Sequence, residues 1–170
     1  MGWNRRPART VAQTEAGRTS RAGVNQMRIL VTGGREYHNY DALSEALYNV
    51  LPPTTDDPAT WLAPDDTVII HGGARGADTL ADQWAIANHV AFEQYKPDWT
   101  DMSQPCVVKY NNSGQYNALA GFKRNQRMID EGKPDIVLAC IGGRGTADMI
   151  KRAKDAGIPV VHVEPLDEPT

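Results

Sequence analysis

Twice in this chain an apolar strand-like run empties into paired glycines, an arginine, a further glycine and an aspartate, and this repetition constrains the fold more than any other feature. The first copy is Thr67-Val68-Ile69-Ile70-His71 followed by Gly72-Gly73-Ala74-Arg75-Gly76-Ala77-Asp78. The second is Asp135-Ile136-Val137-Leu138-Ala139-Cys140-Ile141 followed by Gly142-Gly143-Arg144-Gly145-Thr146-Ala147-Asp148. A third run, Arg28-Ile29-Leu30-Val31-Thr32, ends in Gly33-Gly34-Arg35. A buried strand, a glycine turn and then a helix bring free backbone N–H groups together at the positive end of the helix dipole, which suits a phosphate. Glycine also permits the close approach of a ligand or of another backbone.

Helical and strand periodicities alternate along the rest of the chain. Helices are expected over Asp41 to Leu51, with Asp41 as cap, over Ala77 to His89, from about Ala118 to Glu131, and from about Thr146 to Ala156, with Gly157 closing the last. Ala91 to Tyr95 and Pro159 to Val163 read as further strands, and residues 52 to 66, with four prolines and four aspartates, read as a surface loop. Lys96 to Asn117 reads as a long polar connection of the kind that often carries a site. Short Val- and Ile-rich strands alternating with helices predict an α/β fold. We expect a Rossmann-like open parallel sheet of about five strands with helices on both faces. All three glycine turns then lie at the carboxyl edge of the sheet, where such folds bind ligands. The dinucleotide fingerprint G-x-G-x-x-G and a Walker lysine are both absent from these turns.

At 170 residues, 41% hydrophobic and 23% charged, the chain is expected to form one globular domain, residues 27 to 170, with a tail. The net charge of -3 is uneven: five arginines against Glu15 give residues 1 to 26 a charge of +4, leaving -7 on the remainder. That short, polar, aperiodic segment is expected to be a disordered basic arm, and a basic arm of this kind can touch nucleic acid. No run reaches the ~20 apolar residues of a membrane span, and no secretory h-region is visible, which predicts a cytoplasmic protein with no membrane partner. Cys106 and Cys140 do not make a disulfide framework, and Cys140 and Trp84 are expected in the core. The four histidines show no metal-ligand spacing, so no metal site and no cofactor are expected.

The order of strand-TGGR, strand-HGGARGAD, Lys-Pro-Asp-Trp, Lys-Arg-Asn-Gln-Arg-Met and GGRGTADM over residues 27 to 165 resembles the YspA-like branch of the SLOG superfamily. Better-known members of that superfamily are the Lonely Guy phosphoribohydrolases and DNA-processing protein A. GGRGTAD is similar to the P-G-G-x-G-T motif of the former, with Ile141 in place of proline, and GGARGAD to the G-x-A-R-G-I-D motif of the latter. Arg124-Asn125-Gln126-Arg127-Met128 falls between R-K-x-x-M and R-N-R. The resemblance implies that Arg124 is the arginine that acts on the N-glycosidic bond of a nucleoside monophosphate. The lysine beside it becomes Asn125 here. The glutamate of the motif does not carry over, because Met149 stands three residues past Thr146 and the nearest carboxylate, Asp148, is turned by about 100 degrees on a helix.

Three readings follow. The first is binding of a nucleotide or nucleotide-derived phosphorylated ligand, with Gly33, Gly34, Arg35, Gly72, Gly73, Arg75, Gly76, Gly142, Gly143, Arg144, Gly145 and Thr146 as candidate contacts. An arginine fork beside a glycine turn can take phosphate oxygens in pairs. The second is N-glycosidic hydrolysis of nucleoside 5'-monophosphates, with Arg124 and Asp148 as the catalytic pair. The third is single-stranded DNA binding in the manner of DNA-processing protein A, which the acidic globular part disfavours. Thr146 is placed to cap its helix as well as to touch phosphate, Asp78 resembles an N-terminal cap, and His71 is the one histidine at the site edge. Tyr95 and Trp99 offer faces to a base. The resemblance also implies self-association as a homodimer or higher homo-oligomer through helices beside the site.

Overall fold

The computed structural model describes residues 26–165 except 53, 58 and 60; the arm expected over residues 1 to 26 lies, but for Gln26, outside the described residues. The elements in order are β1 (Arg28–Thr32), α1 (Tyr40–Val50), β2 (Val68–His71), α2 (Ala77–Ala87), β3 (Ala91–Gln94), β4 (Val108–Asn111) and β5 (Gly114–Asn117). They continue with α3 (Ala120–Asp130), β6 (Ile136–Ala139), α4 (Arg144–Asp155) and β7 (Val160–His162).

Five strands form one parallel sheet in the order β3-β2-β1-β6-β7. The registers Leu30↔Ile70 and Leu30↔Val137 place β1 at the centre. All five positions of β1 and all four of β2 are buried, as expected of strands covered on both faces. Alternate residues point to opposite faces. Ile29, Val31, Ile69 and Leu138 therefore join Leu43 and Leu47 of α1 and Ala81 and Trp84 of α2 in one core. Leu30, Ile70 and Val137 join Met128 and Ile129 of α3 and Met149 and Ala153 of α4 in the other. The chain winds away from β1 in both directions, and the strand order reverses between β1 and β6, which opens a crevice above their carboxyl ends.

Several local expectations are corrected. Asn39, not Asp41, caps α1, its side chain accepting from Ala42 N at 3.0 Å; Asp41 lies in the first turn, where its charge suits the dipole. The connection from Lys96 to Asn117 is not wholly irregular, because β4 and β5 pair as an antiparallel hairpin, Val108↔Asn117 to Asn111↔Gly114. Its period-2 signal is weak, since every position of β4 is exposed and no apolar face stands out against the polar one. α4 begins two residues earlier than expected, which moves Arg144 and Gly145 from the turn into the helix. Gly157 follows α4 with φ +73, the left-handed conformation of a helix C-terminus. No helix among the described residues is long and apolar enough to cross a membrane.

Candidate functional site

The three glycine turns do meet at one sheet edge, but they are built for different purposes. The β1 turn is the hub. Gly34 N–H donates to Ile141 O at 2.9 Å, and Gly34 O accepts from Tyr37 N and Ala77 N. A Cβ on Gly33 would stand 2.6 Å from Ala77 Cβ and 2.7 Å from Cys140 Cβ, and one on Gly34 would stand 3.0 Å from Ile141 O. These glycines let three backbones touch. Gly76 serves the same end from the β2 side, with φ +84 and a Cβ position already occupied by Gly34 O.

The β2 turn is filled by the protein itself. Asp78, buried in the second position of α2, turns its carboxylate back so that Oδ2 accepts from Gly72 N and Ala74 N, both at 3.1 Å. The helix cap is Gly76, so Asp78 is not the cap that its spacing suggests. A carboxylate thus already sits among the turn's N–H groups, and burial pushes the carboxyl pKa of Asp78 upward against those hydrogen bonds and the nearby Arg124 charge. His71, buried, accepts from Gly73 N at 3.2 Å through Nδ1, which leaves the proton of the neutral ring on Nε2. That Nε2 stands 3.7 Å from Asp82 Oδ1, too far for a hydrogen bond, and burial lowers the imidazole pKa despite the two aspartates.

The β6 turn is open. Gly143 caps α4 with no side-chain hydrogen bond, and neither Gly143 nor Gly145 has any atom within 4 Å of a built Cβ. The first bond of the helix comes from Ala147 N to Gly143 O. The N–H groups before it therefore face the exposed stretch Ile141 to Gly145. Thr146 does not cap the helix: it is buried in the third helical position, its Oγ1 against Gly142. Beside this turn lie two cavities that share Ile141, Gly142, Gly143, Val163 and Pro165. One, of about 330 Å³, includes Thr146, Ile150 and His162, and the other, of about 540 Å³, is walled by Gly34, Arg35, Tyr37 and His38.

The arginines divide in the same way. Arg75 pairs with Glu36 at 2.6 Å on the surface. Arg35 and Arg144 make no ion pair among the described residues, and Arg35 lies close enough to Arg124 to oppose its charge. Arg124 Nη1 donates to Gly72 O at 2.6 Å and to Tyr95 O at 3.3 Å, and its Nε donates to Asn125 Oδ1 at 3.1 Å. Asp148, on α4, faces Asn125 of α3: its Oδ2 accepts from Asn125 Nδ2 at 2.9 Å and from Arg152 Nε at 2.8 Å. Neither Arg124 nor Asp148 lines either cavity.

Tyr95 gives its ring to Arg127, 5.6 Å above the centroid, and its hydroxyl to Glu93. Trp99 packs edge-on against Tyr116 of the hairpin. No group of histidine, cysteine and carboxylate residues among the described residues is placed to hold a metal. Sequence reasoning passed over Tyr37 and Val163 as site residues and noted Asn125 only as the place of a lost lysine; only the contact of Tyr37 with the Gly34 carbonyl, invisible in the sequence, brings it to the cavity wall.

The profile of the YspA, cpYpsA-related SLOG family matches residues 27–101. The Gene 61 protein of Mycobacterium phage D29 is 32% identical over 146 residues, spanning 79% of this chain and 94% of the phage protein. Among solved structures, DNA processing protein A from Helicobacter pylori, described for its single-stranded DNA binding mode, superposes with a TM-score of 0.52 at 16% identity, over 84% of this chain and 68% of that one. The X-ray structure of TM1055 superposes with a TM-score of 0.49 at 18% identity, over 79% of this chain and 72% of that one. The identity to the Helicobacter protein is low, so that likeness speaks for the fold alone. With 32% identity across nearly the whole phage protein and the family profile on its first three strands, the chain belongs to the YspA, cpYpsA-related SLOG family.

Proposed function

We propose that this protein binds a nucleotide or nucleotide-derived phosphorylated ligand, with a phosphate on the N-terminus of α4 and the remainder in the crevice between the β1 and β6 turns. The observation that carries the reading is the uncapped first turn of α4, with open space at Gly143 and Gly145, beside a cavity of about 540 Å³. A helix N-terminus with no side-chain cap leaves oriented N–H donors and the positive end of the dipole for an anion. Arg35 and Arg144 flank it without carboxylate partners among the described residues. By contrast Gly72 and Gly73 present N–H groups already taken by Asp78 and His71. We therefore assign the ligand to the β6 turn, not the β2 turn. Tyr37, Ile141 and Val163 supply an apolar wall of the kind that binding sites use around a few placed polar groups.

Binding without turnover is the reading this arrangement favours. Hydrolysis of an N-glycosidic bond needs a carboxylate free to meet the sugar or a water. The Asp148 carboxylate is engaged by Asn125 and Arg152, and Arg124 by two backbone carbonyls. The test is incubation of the purified protein with nucleoside 5'-monophosphates, NAD and ADP-ribose, following thermal shift and release of free base by chromatography. A thermal shift without base is the expected result. Base release that disappears in Asp148→Asn would replace binding with hydrolysis, and silence in both readouts would refute the proposal. Self-association belongs to the same proposal and is read by light scattering over micromolar concentrations.

A further inference from the structure

We infer that Asn125 is a positioning residue that ties the β2 turn to the first turn of α4, so that the filled glycine turn sets the geometry of the open one. The inference rests on the first turn of α4 being the phosphate seat, as proposed above, only for its functional consequence; the mechanical link stands on the contacts themselves.

Asn125 is 4% exposed, on the second turn of α3. Its Nδ2 donates to Gly145 O at 3.1 Å and to Asp148 Oδ2 at 2.9 Å, and its Oδ1 accepts from Arg124 Nε at 3.1 Å. These partners fix which end of the amide is which. A flipped amide would set oxygen against two oxygens and NH₂ against a guanidinium N–H. On one side the chain of contacts continues through Arg124 Nη1 to Gly72 O, whose residue donates its N–H to Asp78. On the other it continues through Asp148 to Arg152, which returns to α3 at Gln126 Oε1, 2.5 Å away. A continuous polar strut therefore runs from one glycine turn to the other through a single buried amide.

The chemistry of the position requires an amide of this length. A lysine there would bring an ammonium against the half-buried Arg124 guanidinium, while an aspartate would set a second carboxylate against Asp148 and the Gly145 carbonyl. An alanine leaves the Arg124 Nε without its acceptor and lets the first turn of α4 swing on its glycines. Only a group that donates on one side and accepts on the other joins a cation to a carboxylate and a carbonyl in low dielectric. The open Gly143 and Gly145 give that turn no packing of their own, so its orientation depends on this contact and on buried Thr146.

The test is native-state amide hydrogen exchange on the unliganded full chain, comparing wild type, Asn125→Ala, Arg124→Ala, the double variant and Met128→Ala. Met128→Ala removes a buried apolar contact on the same helix without touching the strut. Expected is a roughly tenfold or greater loss of protection at Ala147 to Met149 in each strut variant, with the double no worse than the worse single, as coupled positions behave. The Met128→Ala variant should show no such local excess. Loss of protection in Asn125→Ala that is spread as in Met128→Ala, or strictly additive effects of the two strut substitutions, would overturn the inference. Titration with adenosine 5'-monophosphate and with inorganic phosphate then separates the two claims. Wild-type binding weakened about tenfold or more by Asn125→Ala supports both, undiminished binding overturns the positioning role, and no wild-type binding refutes the proposed function while the exchange data still decide the strut.

Discussion

Replacing Gly145 by alanine should move stability and binding in opposite directions. Gly145 is the second residue of α4, exposed, and a Cβ built on it meets no atom within 4 Å. Nothing in the folded protein resists the methyl group. Glycine costs a helix roughly 0.5–1 kcal/mol relative to alanine, mainly through the freedom that the unfolded chain loses. Near the N-terminus the lower end of that range applies, about 0.5 kcal/mol of gain, which for a domain of this size raises Tm by roughly 1–3 °C. The Cβ of a helical residue tilts toward the N-terminus, so the same methyl enters the space in front of the free N–H groups. A phosphate held there has to move outward, and affinity should fall at least about tenfold, ~1.4 kcal/mol. Differential scanning calorimetry and titration with the nucleotide found in the ligand screen read the two quantities separately. A lower Tm would refute the open-space argument. A raised Tm with unchanged affinity would refute the assignment of the phosphate to this turn.

Gly142→Ala should behave oppositely in stability, costing about 1–3 kcal/mol in a urea melt as overpacking, because its Cβ would overlap Thr146 Oγ1 and come within 2.6 Å of Gly34 N. Asp78→Ala strips the acceptor from two N–H groups of the β2 turn and should cost about 1–3 kcal/mol, with faster proteolytic cutting near residues 72 to 74. His71 has its pKa lowered by burial, so the unfolded chain takes up this proton at a higher pH than the folded one. Stability should therefore fall as pH drops below about 6.5 and recover as pH rises through that window. His71→Gln should flatten the part of the profile that His71 contributes, and an unchanged profile would refute the buried neutral imidazole. Trp84→Ala, at a fully buried position in the core beneath α1 and α2, should cost about 3–5 kcal/mol in the same melt.

The fold was legible because its code is local. Strands buried on both faces need unbroken apolar runs such as Val68 to Ile70 and Val137 to Ala139, and amphipathic helices need a 3.6-residue stripe. Both survive in one sequence without any neighbour being known. The hairpin was not legible, because β4 buries nothing: Tyr110, 77% exposed, and Val108 lie on a strand with no inner face, so alternation carried no signal. The cap of α1 was missed by two positions for a related reason, since Asn39 and Asp41 both suit a helix start and only backbone geometry distinguishes them.

The candidate site divides along the same line. The sequence by itself placed three glycine turns at one edge of a parallel sheet, with arginines beside them, because strand, turn and helix follow one another along the chain. It did not distinguish glycines that serve packing from glycines that leave space. That depends on atoms far away in sequence: Ile141 O against Gly34, Gly34 O against Gly76, Gln94 against Gly73, and nothing against Gly143 or Gly145. The same holds for the charges. Asp78 and Asp148 look alike in two similar motifs, yet one fills its own turn while the other faces Asn125 across a helix interface and pairs with Arg152 one turn on in its own helix. A missing Cβ has the same sequence signature whether a backbone, a side chain or solvent takes its place, and only tertiary packing decides which.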